Sequence, residues 1–364
     1  MRCAAVLSLA CLLSPLSLAS GQWNRIRTIA GNGEKGAAVD KGPALKVPLP
    51  NPFGIQPEAD GSLIIAGFEQ HVLYRLDAQY RGLERIAGTG AEGLSGSGGE
   101  HPVQVALNQP HEVQVDAAGN IYVADTRNHR VGMIEAATGR WAVVAGTGQE
   151  GFSGDRGPAK QATMNQAYSI AIDESELFIA DLMNQRIRRV DLRSGQINTI
   201  CGTGEKKPPV DGGLAVEQPL AGPRSLAVDA NNLWIVLREG NSVWRLDRGT
   251  GRIHHVAGTG DKGFAGDGAD ARQAKLNGPK GITVDPGVAV YIADTENHAI
   301  RKVDLSSGKI STVVGSPQGK AGFNGDGDGL KQRLLSRPHG VCLLKNGELL
   351  IGDSENNRVR ILTP

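Results

Sequence analysis

Aromatic residues are scarce in this sequence, where Phe, Trp and Tyr make up 4% of the 364 residues. Neither sign of charge is in excess, because 39 Lys and Arg face 38 Asp and Glu. Proteins that bind nucleic acids normally carry a basic excess, so no nucleic-acid partner is expected. No long apolar helical pattern interrupts the turn signals that recur along the chain, which disfavours a helical fold.

Cysteine is also rare, with four residues in all. Cys3 and Cys11 lie in the apolar N-terminal segment, which leaves Cys201 and Cys342 in the rest of the chain. Both occupy apolar positions and are interpreted as small buried residues. A disulfide between them remains open for an exported protein, because one pair of cysteines does not decide it.

The N-terminal segment has the pattern of a secretory signal peptide. Arg2 precedes an apolar run from Cys3 to Leu18, and small residues follow it up to Gly21. Pro15 interrupts the run, which is short for a membrane anchor. We therefore expect a signal peptide over residues 1–21, a single domain over 22–364, no membrane span after cleavage, and a secreted or periplasmic location.

Glycine, by contrast, is abundant, at 50 residues, and it marks an internal repeat. An apolar pair followed by a Gly-rich turn occurs six times, with the middle glycine at Gly31, Gly88, Gly146, Gly202, Gly258 and Gly315. These positions are 57, 58, 56, 56 and 57 residues apart. A period this constant indicates a repeated structural unit.

A second motif runs in step with the first, for example at 119–131, 289–300 and 347–359. Each unit contains four short apolar, β-branched segments bounded by Gly, Asp or Asn, which predicts four strands. Six four-stranded units predict an all-β, six-bladed propeller. The last unit lacks its fourth strand, and residues 25–29 match it, so the N-terminal strand is expected to complete the last blade and close the ring.

These repeats resemble the NHL-repeat family. The pairs Asn128-His129, Asn297-His298 and Asn356-Asn357 stand where that family carries Asn-His. The resemblance covers nearly all of the chain after the signal peptide and implies the fold, while propellers of this kind serve both as binding platforms and as enzymes.

Most of the repeated polar residues are interpreted as structural. The aspartates that end the second strands (Asp125, Asp181, Asp294 and Asp353) are expected to accept backbone N–H bonds. His129 and His298 belong to the repeat motif and are not counted as ligands. The Gly-rich segments, such as 151–157, are interpreted as links between blades, although Asn324, Asp326 and Asp328 leave a calcium site open.

One position departs clearly in chemistry from repeat to repeat and therefore carries the candidate site. It begins the innermost strand, which lines the central channel of a propeller, and its residues are Phe53, His111, Tyr168, Arg224, Lys280 and His339. Arg224 and Lys280 are suited to an anionic group, and Tyr168 to acid–base chemistry. Two histidines and one carboxylate suit zinc with an open coordination position, which makes His111, His339 and Glu112 the candidate metal ligands.

The ring also resembles that of peptidyl-hydroxyglycine lyases, propellers whose zinc histidines stand in comparable Pro-His contexts. His111 and His339 match that pattern, whereas Arg224 stands where a third histidine is implied. Blade four also has Arg238 and Glu239 where other blades have the strand-end Asp region, either as a specialised site or as repeat drift.

Two functions remain open at this stage. The first is a secreted scaffold that binds a small molecule or an extracytoplasmic protein or peptide at the polar channel mouth. Its ligand-binding residues are Phe53, Lys280, Arg238 and Glu239. The second is a metal-dependent lyase or hydrolase acting on a small anionic substrate, with Tyr168 and Arg224 as catalytic residues. No cofactor is required by the first, whereas the second needs a divalent metal, zinc or calcium.

Overall fold

Each sequence repeat folds into one antiparallel sheet, and six such sheets stand around a central channel. The computed structural model describes residues 23–364, so the predicted signal peptide lies outside the described residues. Blade one contains β2 (Lys41–Pro43), β3 (Pro52–Pro57), β4 (Leu63–Gly67), β5 (Val72–Leu76) and β6 (Gly82–Ala87). Blade two contains β7 (Pro110–Val115), β8 (Ile121–Asp125), β9 (Arg130–Ile134) and β10 (Trp141–Ala145). Blade three contains β11 (Ala167–Asp173), β12 (Glu176–Asp181), β13 (Arg186–Asp191) and β14 (Gln196–Cys201).

The other three blades follow the same order. Blade four contains β15 (Pro223–Val228), β16 (Asn232–Leu237), β17 (Ser242–Asp247) and β18 (Arg252–Ala257). Blade five contains β19 (Gly281–Asp285), β20 (Ala289–Asp294), β21 (Ala299–Asp304) and β22 (Ile310–Val314). Blade six contains β23 (Gly327–Asp328), β24 (Val341–Leu343), β25 (Leu349–Asp353) and β26 (Arg358–Thr363) together with β1 (Arg25–Ala30). The remaining regular elements are single 3-10 turns at Phe68–Gln70, Pro102–Gln104, Thr126–Asn128, Ala159–Gln161, Ala215–Glu217, Ala271–Gln273, Thr295–Asn297, Leu330–Gln332 and Ser354–Asn356. The all-β, six-bladed prediction is confirmed.

The ring closes through the N-terminal strand, as predicted. β1 pairs antiparallel with β26, with Ile26 opposite Leu362. The backbone N–H of Asn24 also donates to the carbonyl of Thr363 at 3.1 Å. Because β1 covers the outer edge of β26, the last blade gains its fourth strand from the opposite end of the chain.

The hydrophobic core is divided among the joints between blades. The second strands are buried on both faces, as in β8 and β20, because neighbouring blades cover them on either side. At the joint of blades one and two, for instance, Ile64 and Ala66 pack in one cluster with Val123 and Trp141. The joints therefore hold the innermost strands at fixed positions around the channel.

The strand-end aspartates are structural, which agrees with their interpretation from the sequence. Asp353 accepts from the backbone N–H of Ser336 at 2.8 Å and from the fully buried Arg360 at 3.1 Å. The Gly-rich segment completes this unit, since Asp326 also binds Arg360 at 3.0 Å and the ring of Phe323 lies beside its guanidinium. Blades three and five repeat the arrangement around Arg188 and Arg301.

These bonds explain the motif that left calcium open. Asp326 also accepts from the backbone and the hydroxyl of Thr28, and Asn324 bonds to the backbone at Gln332 and Leu334. The carboxylate of Asp326 and the amide oxygen of Asn324 are therefore engaged with an arginine and with backbone groups.

The repeated histidines join neighbouring blades. Nδ1 of His129 accepts the backbone N–H of Gln166 in the next blade at 3.1 Å, and His298 does the same for Arg337 at 3.0 Å. Elsewhere in the ring an amide oxygen takes this role, as Asn241 does for Gly278.

Cys201 and Cys342 are buried free thiols, which agrees with their interpretation as small apolar residues. Over residues 23–364, the chain forms no helix with the length and apolar character needed to cross a membrane.

Candidate functional site

The six variable residues gather in one ring at the start of the innermost strands. They leave a throat of about 20 Å³, which all six line together with Gly54, Glu112 and Gly340. On one side of the throat opens a funnel of about 310 Å³, which we call the mouth funnel, and on the other side lies a channel cavity of about 270 Å³. The ring predicted from the sequence therefore exists, and it forms the floor of the mouth funnel.

Local backbone geometry directs these side chains inward. Two residues before each ring position the chain adopts a left-handed conformation, with φ of 52° at Gln109 and 42° at Arg337. One residue after it the chain usually has a small residue, because neighbouring innermost strands approach closely. A Cβ on Gly340 would lie 2.0 Å from the carbonyl oxygen of Phe53.

Aromatic rings form one half of the funnel wall, on blades one to three. Phe53 stacks on Phe68 with 4.4 Å between ring centroids, and His111 lies 3.9 Å from Tyr168. Phe53 also contacts His339 at 4.0 Å and His111 at 4.9 Å. The result is a continuous surface of ring faces and edges beside the throat.

Sequence reasoning missed Phe68, which follows the second strand of blade one. The equivalent residues in blades two, five and six are Thr126, Thr295 and Ser354, whose hydroxyls donate to a carbonyl of the next blade at 2.7–2.8 Å. Phe68 breaks this repeated hydroxyl position, and that departure was the available signal.

Both ring histidines have a defined proton position. Nδ1 of His111 lies 3.1 Å from the carbonyl oxygen of Gln109, and Nδ1 of His339 lies 2.9 Å from that of Arg337. A carbonyl oxygen only accepts, so Nδ1 carries the proton and Nε2 presents a lone pair. Burial lowers the pKa of both imidazoles well below the usual value, which keeps them neutral at neutral pH.

Nε2 of His339 is engaged by a lysine. Nζ of Lys280 lies 2.8 Å from it, and the Lys280 side chain is 10% exposed. Burial, followed by the charges of Arg337 and Arg238, lowers the pKa of Lys280 to about 7. This amine is therefore easily deprotonated near neutral pH.

The predicted metal ligands do not fit a metal ion. His111 and His339 stand on blades two and six, and Phe53 on the blade between them contacts both rings. Lys280 takes the only free nitrogen of His339. Within residues 23–364 no three His, Cys, Asp or Glu side chains gather as a metal-binding group. No chemical step is therefore assigned to a metal here.

Glu112 lines the throat and the channel cavity below it, rather than pointing away from the channel. Its carboxylate lies over Gly54, whose missing side chain leaves the space, and its hydrogen bond comes from the backbone N–H of Val113 at 3.2 Å. Burial raises the pKa of Glu112 to about 8. The carboxyl group is thus mostly protonated at neutral pH.

Charged side chains form the other half of the funnel wall, on blades four to six. Arg224 bonds to Glu239 at 2.8 Å and its guanidinium lies over the ring of Tyr168 at 4.7 Å. Arg238 bonds to Glu239 at 3.1 Å and to Glu296 at 3.3 Å. The structure therefore brings Arg224, Arg238 and Glu239 together beside the funnel.

Three further members of this network were not identified from the sequence. Arg337 bonds to Glu296 at 2.8 Å and to Glu355 at 3.0 Å, and Glu296 lies 3.9 Å from Lys280. Four cations (Arg224, Arg238, Lys280 and Arg337) thus face three carboxylates (Glu239, Glu296 and Glu355). The sequence held part of this information, because Glu296 and Glu355 stand at the same repeat position, two residues after the strand-end Asp of their blades.

The fold and the repeats define the class of protein: it is a six-bladed β-propeller, in which four-stranded blades form a closed ring. The model of the NHL repeat matches residues 107–132 and 335–362, and that of the Teneurin NHL domain matches residues 249–323. The chain therefore carries NHL repeats in a six-bladed propeller, as the sequence motifs indicated.

Several known proteins are similar to it. Protein SUPPRESSOR OF QUENCHING 1, chloroplastic, of Arabidopsis thaliana is 29% identical over 76% of this chain and 27% of its own length. NHL repeat-containing protein 2 of Homo sapiens is 27% identical over 70% of this chain and 38% of its own length. The chain thus spans less than two fifths of these relatives.

Solved structures share the fold at low identity. An auxiliary nutrient binding protein from Bacteroides ovatus superimposes with a TM-score of 0.68 at 16% identity, over 94% of this chain and 77% of its own. Virginiamycin B lyase from Staphylococcus aureus gives a TM-score of 0.53 at 14% identity, over 89% of this chain and 98% of its own. At this identity the likeness concerns the fold alone.

Proposed function

We propose that this propeller is a binding protein whose ligand is a small anion with a flat apolar group, held in the mouth funnel. The single observation that carries the proposal is the division of the funnel wall. Aromatic rings predominate on blades one to three, where Arg127 is the cation, and cationic side chains predominate on blades four to six, where His339 is the aromatic ring. A ligand with both characters would contact both halves at once.

The aromatic half supplies ring surfaces that need no rearrangement. Phe68 stacks on Phe53, Phe53 also stacks on His339, and Tyr168 packs against His111. A stacked ring pair contributes about 0.5–1.5 kcal/mol beyond the burial of its apolar area. The ligand's flat group is therefore assigned to this side.

The cationic half supplies charge and unused donors. Nε of Arg224 and Nε of Arg238 are buried without a hydrogen-bond partner, and Arg224, Arg337 and Lys280 line the funnel itself. A carboxylate would accept charge-assisted hydrogen bonds from these groups, which are the stronger kind. The anionic group is therefore assigned to the side of Lys280 and Arg337.

The comparisons support a binding role in general terms. The Bacteroides ovatus propeller, which shares the fold, is described as an auxiliary nutrient binding protein. Together with the signal-peptide pattern of residues 1–21, this favours a secreted or periplasmic protein that collects a small molecule outside the cytoplasm.

The test is calorimetry with a panel of aromatic carboxylates, aliphatic carboxylates and neutral aromatics. Phe68→Thr installs the residue found in blades two and five. It should weaken the binding of aromatic acids about tenfold, which corresponds to about 1.4 kcal/mol of binding free energy. Leu45→Thr, at a residue that is 55% exposed, is the matched control and should leave binding unchanged.

Two results would overturn the proposal. One is the absence of binding by any small acid of the panel at millimolar concentration. The other is equal affinity for acids in the wild type and in a Phe68→Thr/Arg337→Gln double variant. Binding of a peptide or protein at the mouth with no small-molecule competition would move the function to the partner-binding alternative.

A lyase or hydrolase that uses a metal is the second candidate from the sequence. It requires His111 and His339 to share one ion, which the contacts of Phe53 and Lys280 oppose. Metal analysis of the purified protein tests it directly. Stoichiometric zinc that disappears in His111→Ala/His339→Ala would restore this candidate.

A further inference from the structure

Lys280, His339 and the carbonyl group of Arg337 form a chain of hydrogen-bonded groups in the floor of the mouth funnel. Nζ of Lys280 lies 2.8 Å from Nε2 of His339, and Nδ1 of His339 lies 2.9 Å from the carbonyl oxygen of Arg337. The carbonyl fixes the proton on Nδ1, so Nε2 offers its lone pair to the lysine. A nucleophile, a base beside it and a third group that orients the base are the parts of an activated nucleophile.

The charges around Lys280 favour its neutral form. Arg224, Arg238 and Arg337 all repel its ammonium group. The nearest carboxylate, Glu296, is 3.9 Å away and forms shorter contacts with Arg337 at 2.8 Å and Arg238 at 3.3 Å. Both histidines of the ring are themselves held neutral by burial, so the positive charges near Lys280 are those of the arginines.

The consequence is an amine that is placed for attack. Its nitrogen lies against the unprotonated Nε2 of His339, its side chain is 10% exposed, and three arginines around it disfavour an ammonium ion. Lys280 also lines the open funnel, so a ligand can reach it.

We propose that Lys280 captures its ligand covalently as an imine, and that the ligand is an aldehyde or ketone that also carries a carboxylate and a flat apolar group. The inference rests on the proposed function for the carboxylate and the apolar group. The carbonyl group is the new element, and the lysine–histidine pair is the observation that adds it.

The step balances without an oxidant or a metal. The neutral amine of Lys280 attacks the carbonyl carbon, a C–N bond forms and the C=O electron pair moves to oxygen. His339 Nε2 passes the two amine protons to the oxygen in turn. The first converts the alkoxide to the hydroxyl group of the carbinolamine, and the second lets that hydroxyl group leave as water when the C=N bond forms. Hydrolysis reverses the same steps, so capture is reversible.

The experiment uses 4-formylbenzoate, which combines an aldehyde, a carboxylate and an aromatic ring. The purified propeller is incubated with it at pH 7 in the presence of cyanoborohydride, and labelled lysines are located by peptide mass spectrometry. Lys280 should label at least about tenfold faster than the exposed Lys309, because far more of it is free amine at this pH. The rate at Lys280 should rise with a midpoint near pH 7.

Two variants separate the roles of the pair. Lys280→Arg keeps the charge, removes the nucleophile and should abolish labelling in the funnel, whereas Lys309→Arg should not. His339→Gln retains Lys280 and should slow its labelling and change its pH profile. His101→Gln, at an exposed histidine, is the control. Equal labelling of Lys280 and Lys309, or a midpoint near pH 10 at Lys280, overturns the inference.

A parallel measurement separates this inference from the proposed function. 4-Methylbenzoate has the ring and the carboxylate but no carbonyl group that can form an imine. If it binds wild type and Lys280 shows no preferential labelling, the binding function stands and imine formation is wrong. If neither compound occupies the funnel and Lys280 is not preferentially labelled, both are wrong.

Discussion

Leu237 and Trp244 pack in one apolar cluster of blade four, at the repeat positions where blades three, five and six hold an aspartate and a buried arginine. Both members of the ion pair are thus replaced together. Since a buried charge without its partner is costly, the loss of one residue requires the loss of the other. In blade four an apolar contact therefore replaces the buried Asp–Arg ion pair of the other blades. Arg238 and Glu239, which follow Leu237, belong to the charged network beside the funnel.

The buried ion pair of blade six predicts a large effect of single substitutions. Arg360→Met leaves the fully buried Asp353 without its cation and should lower the free energy of unfolding by about 3–5 kcal/mol. The double variant Asp353→Leu/Arg360→Met should lose less than Arg360→Met alone. Urea unfolding measures both. Lys207→Met, which removes an exposed ion pair, should leave the free energy of unfolding nearly unchanged, and a loss equal to that of Arg360→Met would contradict the argument.

The raised pKa of Glu112 predicts that replacing its carboxyl group will increase the free energy of unfolding by an amount that depends on pH. Its folded-state pKa of about 8 lies above its unfolded value, so its stabilising contribution is complete below about pH 4.3 and is lost as pH rises through 8. Glu112→Gln should match the wild type near pH 4 and exceed its free energy of unfolding by about 5 kcal/mol at pH 9.

Chemical unfolding at pH 4, 7 and 9 checks this difference, with the exposed Glu92→Gln as the control. The lowered pKa of Lys280 has the opposite sign and stabilises the fold as pH rises from about 7 to 10. Comparison of variant and wild type at each pH cancels that contribution. A constant difference at all three pH values would disprove the titration of Glu112 in this range.

The close approach of innermost strands predicts that a single methyl group will open the ring. Gly340→Ala places a Cβ 2.0 Å from the carbonyl oxygen of Phe53, on the backbone of the next blade, which cannot move without its sheet. We expect a loss of several kcal/mol in thermal or urea unfolding. At Gly249 the nearest atom to such a Cβ is a side-chain oxygen at 3.4 Å, so Gly249→Ala should be tolerated.

Closure of the last blade predicts a strong dependence on the first strand. Ile26 is fully buried beside Leu362, and Ile26→Ala should cost about 2–5 kcal/mol. Arg25, the exposed neighbour on the same strand, provides the control through Arg25→Ala. If both substitutions cost less than 1 kcal/mol by urea unfolding, β1 does not hold the ring together.

The sequence predicted the ring because it occurs at a position where six otherwise similar repeats disagree. Phe53, His111, Tyr168, Arg224, Lys280 and His339 were found in this way without any structure. What remained hidden were contacts between blades. Phe68, Arg337 and Glu296 reach the funnel from neighbouring blades, and their proximity depends on the angle between sheets, which no single repeat encodes. The partner of His339 was hidden for the same reason, because Lys280 lies 59 residues away in another blade.

The pairing of β1 with β26 also governs when the molecule can finish folding. These strands lie at opposite ends of the described chain, so the ribosome releases the first long before the second exists. During that interval the edges of β1 stay unpaired, and five blades have to wait as an open arc. Assembly of the finished circle therefore waits for the synthesis of β26 and requires one long-range loop closure, whose entropy cost the paired strands have to offset.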